Sequence, residues 1–387
     1  MRILSISEEL REGLACAASL SLRGYDSLHV QLGSRFIIDK LKVQLDTGIT
    51  TVEYIEIPIS FAKNYTILLQ QLIKEKFLEG LSIVVTSHTR LSFHLAQNLS
   101  QINNLPLILR ISDLGMIGKF KEAIILFNWG QAIFELPVAF LHLEKTIKKG
   151  DIIISHTAAI YNFLESYLHR KSILIYPTYA KKVPKDQKTT IEMIDHIKSK
   201  IDLKEPIVLG LTMISRRGLA GKHDKKVLEC LYLIAKYNPD ITVLVIGTEY
   251  NESLKVLEKL CNLPNLKFLG KIFNDFVLEY LYKKASLVVI PFFFTKTITN
   301  RLLEALFYGK PILTSSYLKE DFPVLKHGEN VYMFNRIDEI PHLVRYMLRS
   351  DNILDYLEKN AIDTWKKIFS DKIFGRKISA ILRYISI

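Results

Sequence analysis

Thr295-Lys-Thr-Ile-Thr-Asn-Arg301-Leu-Leu-Glu304-Ala-Leu-Phe-Tyr-Gly309-Lys-Pro311-Ile-Leu-Thr-Ser-Ser316 is the stretch that decides the fold. It follows an apolar run, Leu287–Ile290, that ends at Pro291. The pattern predicts a helix between two buried strands. Thr297 or Thr299 can cap its start, because a side-chain hydroxyl there accepts from backbone N–H groups that lack partners inside the helix. Leu302, Leu303 and Leu306 recur at helical spacing and supply a buried face. Gly309 is suited to end the helix and Pro311 to begin the next strand.

The first turn of such a helix offers free N–H groups and the positive end of the helix dipole, a ready seat for a diphosphate. Thr299, Asn300 and Arg301 stand at that turn, and Arg301 adds a cation. Glu304 falls about one turn further in, where a carboxylate can accept from both hydroxyls of a ribose. The spacing serves equally well a plain amphipathic helix with a surface Arg301–Glu304 pair. A second loop, Thr212-Met-Ile-Ser-Arg216-Arg217-Gly-Leu-Ala-Gly-Lys222-His223, follows the run Ile207–Leu211. Its two glycines and the cations Arg216, Arg217 and Lys222 suit a polyphosphate, and a solvated basic loop is the plainer reading. Near the N-terminus, Gly13-Leu-Ala-Cys-Ala-Ala18 follows the first apolar run. Small residues there allow either close approach to a ligand or a tight helix–sheet contact.

Outward from these segments, short apolar runs alternate with helical patterns from end to end. Strands are expected near residues 3–6, 28–32, 52–57, 83–86, 107–111, 152–155 and 173–176. In the second half they are expected near 207–211, 243–246, 266–269, 287–290, 312–314 and 331–334. Most are continuous in Val, Ile and Leu, as strands buried on both faces are, which predicts parallel sheets covered by helices. Residues 52–57, with Glu53 and Glu56, are the clearest exception. A Pro- and Lys-containing stretch divides the chain. The expected organisation is an N-terminal Rossmann-like domain over 1–180, a linker over 181–204 and a C-terminal Rossmann-like domain over 205–365. The fold class is therefore α/β, with two doubly wound domains facing across a cleft. In such sheets ligands bind beyond the carboxyl ends of the strands.

The length of 387 residues suits two domains. Apolar residues make up 49% and charged residues 24%, which excludes a disordered chain. Cys16, Cys230 and Cys261 form no C-x-x-C pair, so neither a zinc site nor a disulfide framework is indicated. Early charges are expected to preclude a secretory signal, and polar residues interrupt the most lipid-like stretch, 123–143. The cytoplasm is therefore the expected location. The formal charge of +12 favours phosphates or anionic lipid. Residues 119–149 combine aromatics with flanking lysines and offer a contact with the inner face of a membrane, or else a helix covering the N-terminal sheet.

The blocks 265–270, 281–291 (Leu-Tyr-Lys-Lys-Ala-Ser-Leu-Val-Val-Ile-Pro), 303–314 and His327-Gly-Glu-Asn330 resemble glycosyltransferase family 4 in order and spacing. The segments 83–88, 107–113 and 151–156 resemble that family's N-terminal lobe more loosely. The resemblance implies a GT-B fold, with a last helix over 366–387 that packs back on the N-terminal lobe. It makes Glu304 the nucleotide-ribose glutamate and Arg301 similar to a basic residue before it. It places Arg216, Arg217 or Lys222 at the phosphate-binding lysine. Lys296, Ser112 and Leu211 stand where the family often has a glutamate, a histidine and an arginine.

The activity implied is transfer of a sugar from a UDP- or GDP-linked donor to a glycan or lipid-linked acceptor. It implies retention of configuration and no metal, and no D-x-D motif is present. Cations and a helix N-terminus would stabilise the leaving diphosphate. Arg217 is one such cation. Asp113 is the candidate acceptor or sugar contact of the N-terminal lobe, and a helix or turn cap is its alternative role. His88 and His156 follow strands as structural or catalytic histidines. A non-catalytic binding protein on the same fold and a nucleotide-sugar epimerase are the competing readings. Nucleic acid is not an expected partner, because no basic–aromatic stripe is evident.

Overall fold

A computed structural model describes residues 1–7, 10–33, 36–58, 79–87, 90–111, 143–184, 186–200, 206–212, 222–247, 262–291 and 300–385. The chain divides into two compact units. The first holds Met1–Val183 and Ile368–Ile387, and the second holds the described residues between Pro184 and Lys367.

The strands of the first unit are β1 (Arg2–Ser7), β2 (Asp26–Gly33), β3 (Ile37–Leu45), β4 (Gly48–Pro58), β5 (Leu81–Ser87), β6 (Leu107–Ile111), β7 (Ile152–Ser155), β8 (Ile173–Leu174) and β9 (Lys181–Lys182). They form one sheet in the order β8-β7-β6-β5-β1-β2-β4-β3-β9. Pairing is parallel except at β3, which runs antiparallel to both β4 and β9. Strand order reverses direction between β1 and β5, so the crevice expected of a doubly wound sheet lies at Ser7 and Ser87.

Among the described residues, α1 (Leu10–Ser21), α2 (Arg90–Asn103) and α3 (Ala158–Tyr167) cover this sheet, together with the last helix, Asp371–Ile385. On one face Cys16 and Leu20 of α1 and Phe374, Ile378 and Leu382 of the last helix pack over Ile3, Ile83, Ile108 and Ile154. The other face carries Phe93, Ala96 and Leu99 of α2 and Ile160 and Leu164 of α3 against Leu4, Ile6, Val84 and Leu109. Arg23 ties the last helix to α1 by donating to the carbonyls of Ser19, Asp371 and Lys372.

β3 is absent from the strands expected on sequence. Ile37-Ile-Asp-Lys-Leu-Lys-Val-Gln-Leu45 buries Leu41, Val43 and Leu45 while Lys40 and Lys42 face solvent. This is the period-2 signature of a strand wet on one face, and a search for continuous apolar runs passes over it. Of the stretch expected to link the halves, Lys181–Lys182 is the edge strand β9, and α4 (Gln187–Lys200) belongs to the second unit.

The second unit is built on six parallel strands in the order β12-β11-β10-β13-β14-β15. They are β10 (Ile207–Leu211), β11 (Thr242–Ile246), β12 (Leu266–Gly270), β13 (Leu287–Ile290), β14 (Ile312–Ser315) and β15 (Tyr332–Phe334). This is the order of dinucleotide-binding sheets, with its switch point between β10 and β13. Helices α5 (Lys222–Tyr237), α6 (Asp275–Lys284) and α7 (Asn300–Phe307) are joined by Ile340–Leu348 and Asp351–Thr364. Val208, Leu231, Ile234, Val243, Leu287, Leu313 and Val344 lie in one core. No helix among the described residues is long and apolar enough to cross a membrane.

Candidate functional site

Helix α7 follows β13, on the switch-point side of the second sheet. Leu302, Leu303, Ala305 and Leu306 are buried, as their helical spacing requires. The helix closes in a Schellman turn. The Gly309 N–H donates to Leu306, the Lys310 N–H donates to Ala305, and Gly309 takes φ +63°. A Cβ at Gly309 would meet Ile362 at 2.5 Å, so packing as well as backbone conformation demands glycine here.

Glu304 is only 3% exposed, which removes the surface-pair reading of this helix. Its Oε2 accepts from the Tyr282 hydroxyl of α6 at 2.9 Å. Tyr282 is fully buried and stacks on Tyr308 with ring centroids 4.9 Å apart. Phe307 meets both Tyr308 and Trp365 edge-on. An aromatic stack thus fixes the phenol that holds the carboxylate. Burying a carboxylate is costly unless donors satisfy it, and the Tyr282 hydroxyl is one such donor.

Arg301 projects elsewhere. Its Nη1 donates to the Ile246 carbonyl at 3.4 Å, at the carboxyl end of β11. The Ile246 carbonyl also receives the Thr212 N–H and hydroxyl, from the residue just after β10. Gly247 has φ +98°, and a Cβ there would lie 2.4 Å from Arg301 Nη2 and 2.1 Å from the Thr212 carbonyl. Glycine is therefore what lets the guanidinium reach across the ends of β10 and β11. Asn300 opens α7 and is partly buried.

Asn300, Arg301 and Glu304 thus share one helix, whose cation reaches the ends of β10 and β11. Lys222 is the first residue of α5, the helix after β10. Thr299, Arg216, Arg217 and Asp113 lie outside the described residues, as do Lys296, Ser112 and His88. Sequence reasoning gave no role to Tyr282, Gly247 or Thr212. Tyr282 stands inside the resembling block 281–291, but nothing in a linear pattern pairs a tyrosine with a glutamate 22 positions on.

In the first unit, Gly13 lies against β1 and β2. A Cβ there would sit 2.1 Å from His29 and 2.4 Å from the Ser7 hydroxyl. Its observed neighbours are thus side chains of the sheet, the tight-contact alternative for Gly13. His29 is fully buried. Its Nδ1 lies 3.2 Å from the Ser5 carbonyl, and its Nε2 has no hydrogen-bond partner. Burial, then the charge of the buried Arg110, pull its pKa down to about 3. His156 is also buried, with Nδ1 2.6 Å from the Ile175 carbonyl and its ring near Phe374, which is a structural setting.

The His327-Gly-Glu-Asn330 segment forms a self-supporting turn. Asn330 accepts from the Lys326 N–H and donates to Val324 and Thr364, and His327 Nδ1 accepts from the Met333 N–H. These bonds seat the start of β15 and give the segment a framework role.

Residues 221–350 match the family described as Glycosyl transferases group 1. No curated protein sequence matches. Among solved structures, the fold is similar to that of sucrose-phosphate synthase from Thermosynechococcus elongatus, at TM-score 0.72 and 15% identity, over 100% of this chain and 99% of that one. HepE of Anabaena in complex with UDP and glucose is similar at TM-score 0.67 and 13% identity, over 99% of each chain. MnaA of S. aureus with UDP is similar at TM-score 0.59 and 13% identity, over 100% of this chain and 97% of that one. Residues 221–350 thus carry a glycosyl transferases group 1 domain, and the two doubly wound units have the GT-B fold of these structures.

Proposed function

We propose that the protein transfers a sugar, with retention and without a metal, from a UDP- or GDP-linked donor to a glycan or lipid-linked acceptor. The observation that carries this reading is the Glu304 carboxylate. It is buried one turn into α7 and accepts from Tyr282; in this reading it also accepts from the donor's ribose hydroxyls. Arg301, reaching the ends of β10 and β11 beside Gly247, supplies positive charge for the diphosphate. UDP in the structures of HepE and MnaA supports a UDP-linked donor over a GDP-linked one.

In the proposed reaction the bond from the sugar's anomeric carbon to the diphosphate breaks as the bond to the acceptor oxygen forms. Charge grows on the leaving diphosphate, where Arg301 and the first turn of α7, with Thr299 and Asn300, stabilise it. The leaving phosphate oxygen takes the acceptor's proton, so no single protein base is required. Arg216, Arg217 and Lys222 are proposed to add cations after β10, with Asp113 contacting acceptor or sugar.

The first test is thermal unfolding with a panel of nucleoside diphosphates and nucleotide-sugars, on the wild type and Glu304→Ala. A ligand that binds only the folded state adds about 2.7 kcal/mol at a hundredfold excess over its dissociation constant. We expect a shift with a uridine diphosphate species that disappears in Glu304→Ala, whose ligand-free form still unfolds cooperatively. The absence of a shift with every nucleotide would overturn the donor site. Binding without sugar transfer or donor hydrolysis would instead favour the non-catalytic reading.

A further inference from the structure

At the outer edge of the first sheet lies a groove of about 700 Å³. Its walls are the residues leading into β7, including Asp151, those leading into β8, including Arg170, Lys171 and Ile173, and Ile381 and Tyr384 of the last helix. These are the amino ends of the strands. Ligands of doubly wound sheets bind at the carboxyl ends, so the groove stands apart from donor chemistry.

Two properties distinguish this surface. Its cations are uncompensated: Arg170 and Lys171 are exposed, and neither has an ion pair or a side-chain hydrogen bond. The same holds for Lys377, on the helical stripe that continues through Ala380, Ile381 and Tyr384, and for Arg376 and Arg383 beside it. The acid within the groove, Asp151, already accepts the Leu107 N–H at 2.7 Å. The second property is apolar exposure among these charges: Tyr384 is 80% exposed and Ile173 43%. Tyrosine and isoleucine interleaved with unpaired Lys and Arg match a headgroup layer, where aromatic rings sit at the boundary and cations meet phosphates.

We propose that this groove and the adjoining outer face of the last helix dock on an anionic phospholipid bilayer. Headgroup phosphates lie on Arg170, Lys171 and Lys377, and Tyr384 and Ile173 sit at headgroup depth. Charge complementarity selects this occupant, since five unpaired cations against one satisfied acid would repel a basic partner and leave a neutral one unrecognised.

The test is sedimentation of the full-length protein with vesicles of phosphatidylcholine alone or mixed with phosphatidylglycerol. Binding is expected to the mixed vesicles only and to weaken as salt rises. Each Lys or Arg near an anionic surface contributes roughly fivefold in binding. Arg170→Glu with Lys171→Glu is therefore expected to lower binding by at least roughly 30-fold. Lys319→Glu with Lys359→Glu, the same charge change on the second unit, is expected to change it little. Tyr384→Ser tests the apolar anchor with intact charge and is expected to weaken binding severalfold. All variants are expected to keep the wild-type unfolding temperature and nucleotide response, because none touches the donor site. Equal binding to neutral vesicles, equal loss in the control pair, or no sedimentation at all would each overturn the proposal. So would full release by soluble glycerol phosphate at the matched phosphate concentration, which would make the groove a small-anion site.

Discussion

At the scale of single residues, the informative contact is the Tyr282 hydroxyl on Glu304. Tyr282→Phe removes one donor from a buried carboxylate and changes nothing in shape. Hydrogen bonds to charged groups are worth about 1.5–3 kcal/mol. Part of that is expected as lost stability. The rest is expected as a rise in the dissociation constant of the nucleotide of roughly tenfold, because a carboxylate short of one donor must be reordered on binding. Steady-state kinetics would show a raised KM for the donor with a smaller change in kcat. An unchanged KM beside lost stability would make Tyr282 a purely structural partner. The helix that carries Asn300, Arg301 and Glu304 was legible in the sequence because its apolar spacing and the closing Gly309 mark it. Tyr282, Thr212 and Gly247 were not, because their roles come from which strands and helices the sheet sets side by side. Gly13 shows the converse: its smallness was legible, but what crowds it, His29 and Ser7, is decided by the helix lying on β1 and β2.

At the scale of elements, continuous Val/Ile/Leu runs located the parallel strands of both sheets, because strands buried on both faces have no polar face to display. The same criterion missed β3, whose Lys40 and Lys42 alternate with buried Leu41 and Val43. The hairpin that joins β3 to β4 meets the last helix in an unusual way. The Asp371 N–H donates to Asp46 at 3.0 Å, while the Thr47 N–H and hydroxyl donate to the Asp371 carboxylate. Burial, then its hydrogen bonding with Asp371, push the Asp46 carboxyl up to about 7. A raised carboxyl pKa means that the folded chain holds a proton the unfolded chain has released. The resulting stability is present at acidic pH and is lost as pH rises through about 7. Asp46→Asn imitates the protonated form at every pH. Its unfolding temperature is therefore expected to match the wild type below about pH 4, to exceed it increasingly up to about pH 7, and to keep a constant margin above that. A difference independent of pH would show that the two carboxyls do not share a proton.

At the scale of the whole molecule, the face of the first sheet under α1 and the last helix is apolar where β1, β5 and β6 begin and polar where they end. Ile3, Ile83, Ile108 and Ile154 lie under the last helix and α1, and Ser5, Ser7, His29, Ser87 and Arg110 follow toward the carboxyl ends. Such a gradient is the cost of placing chemistry at one end of a sheet, and His29 makes it measurable. Its folded pKa of about 3 lies below the ordinary histidine value of 6.5. Between those two values the unfolded chain carries a proton that the folded chain refuses. The contribution of His29 is thus complete above the unfolded pKa and is lost as pH falls below it. The slope approaches 1.4 kcal/mol per pH unit, so about 2 kcal/mol is expected to vanish between about pH 7 and about pH 5. Asp46 acts with the opposite sign over much of this window, and the wild-type curve alone will understate both. The clean measurement is the stability difference between wild type and His29→Gln in denaturant titrations across that range. Gln cannot titrate and leaves the other groups in place, so the difference is expected to shrink on acidification by about 2 kcal/mol. A constant difference would mean that water reaches His29 in the folded chain, and the polar end of the sheet would then be open to solvent beneath Gly13 instead of sealed by α1.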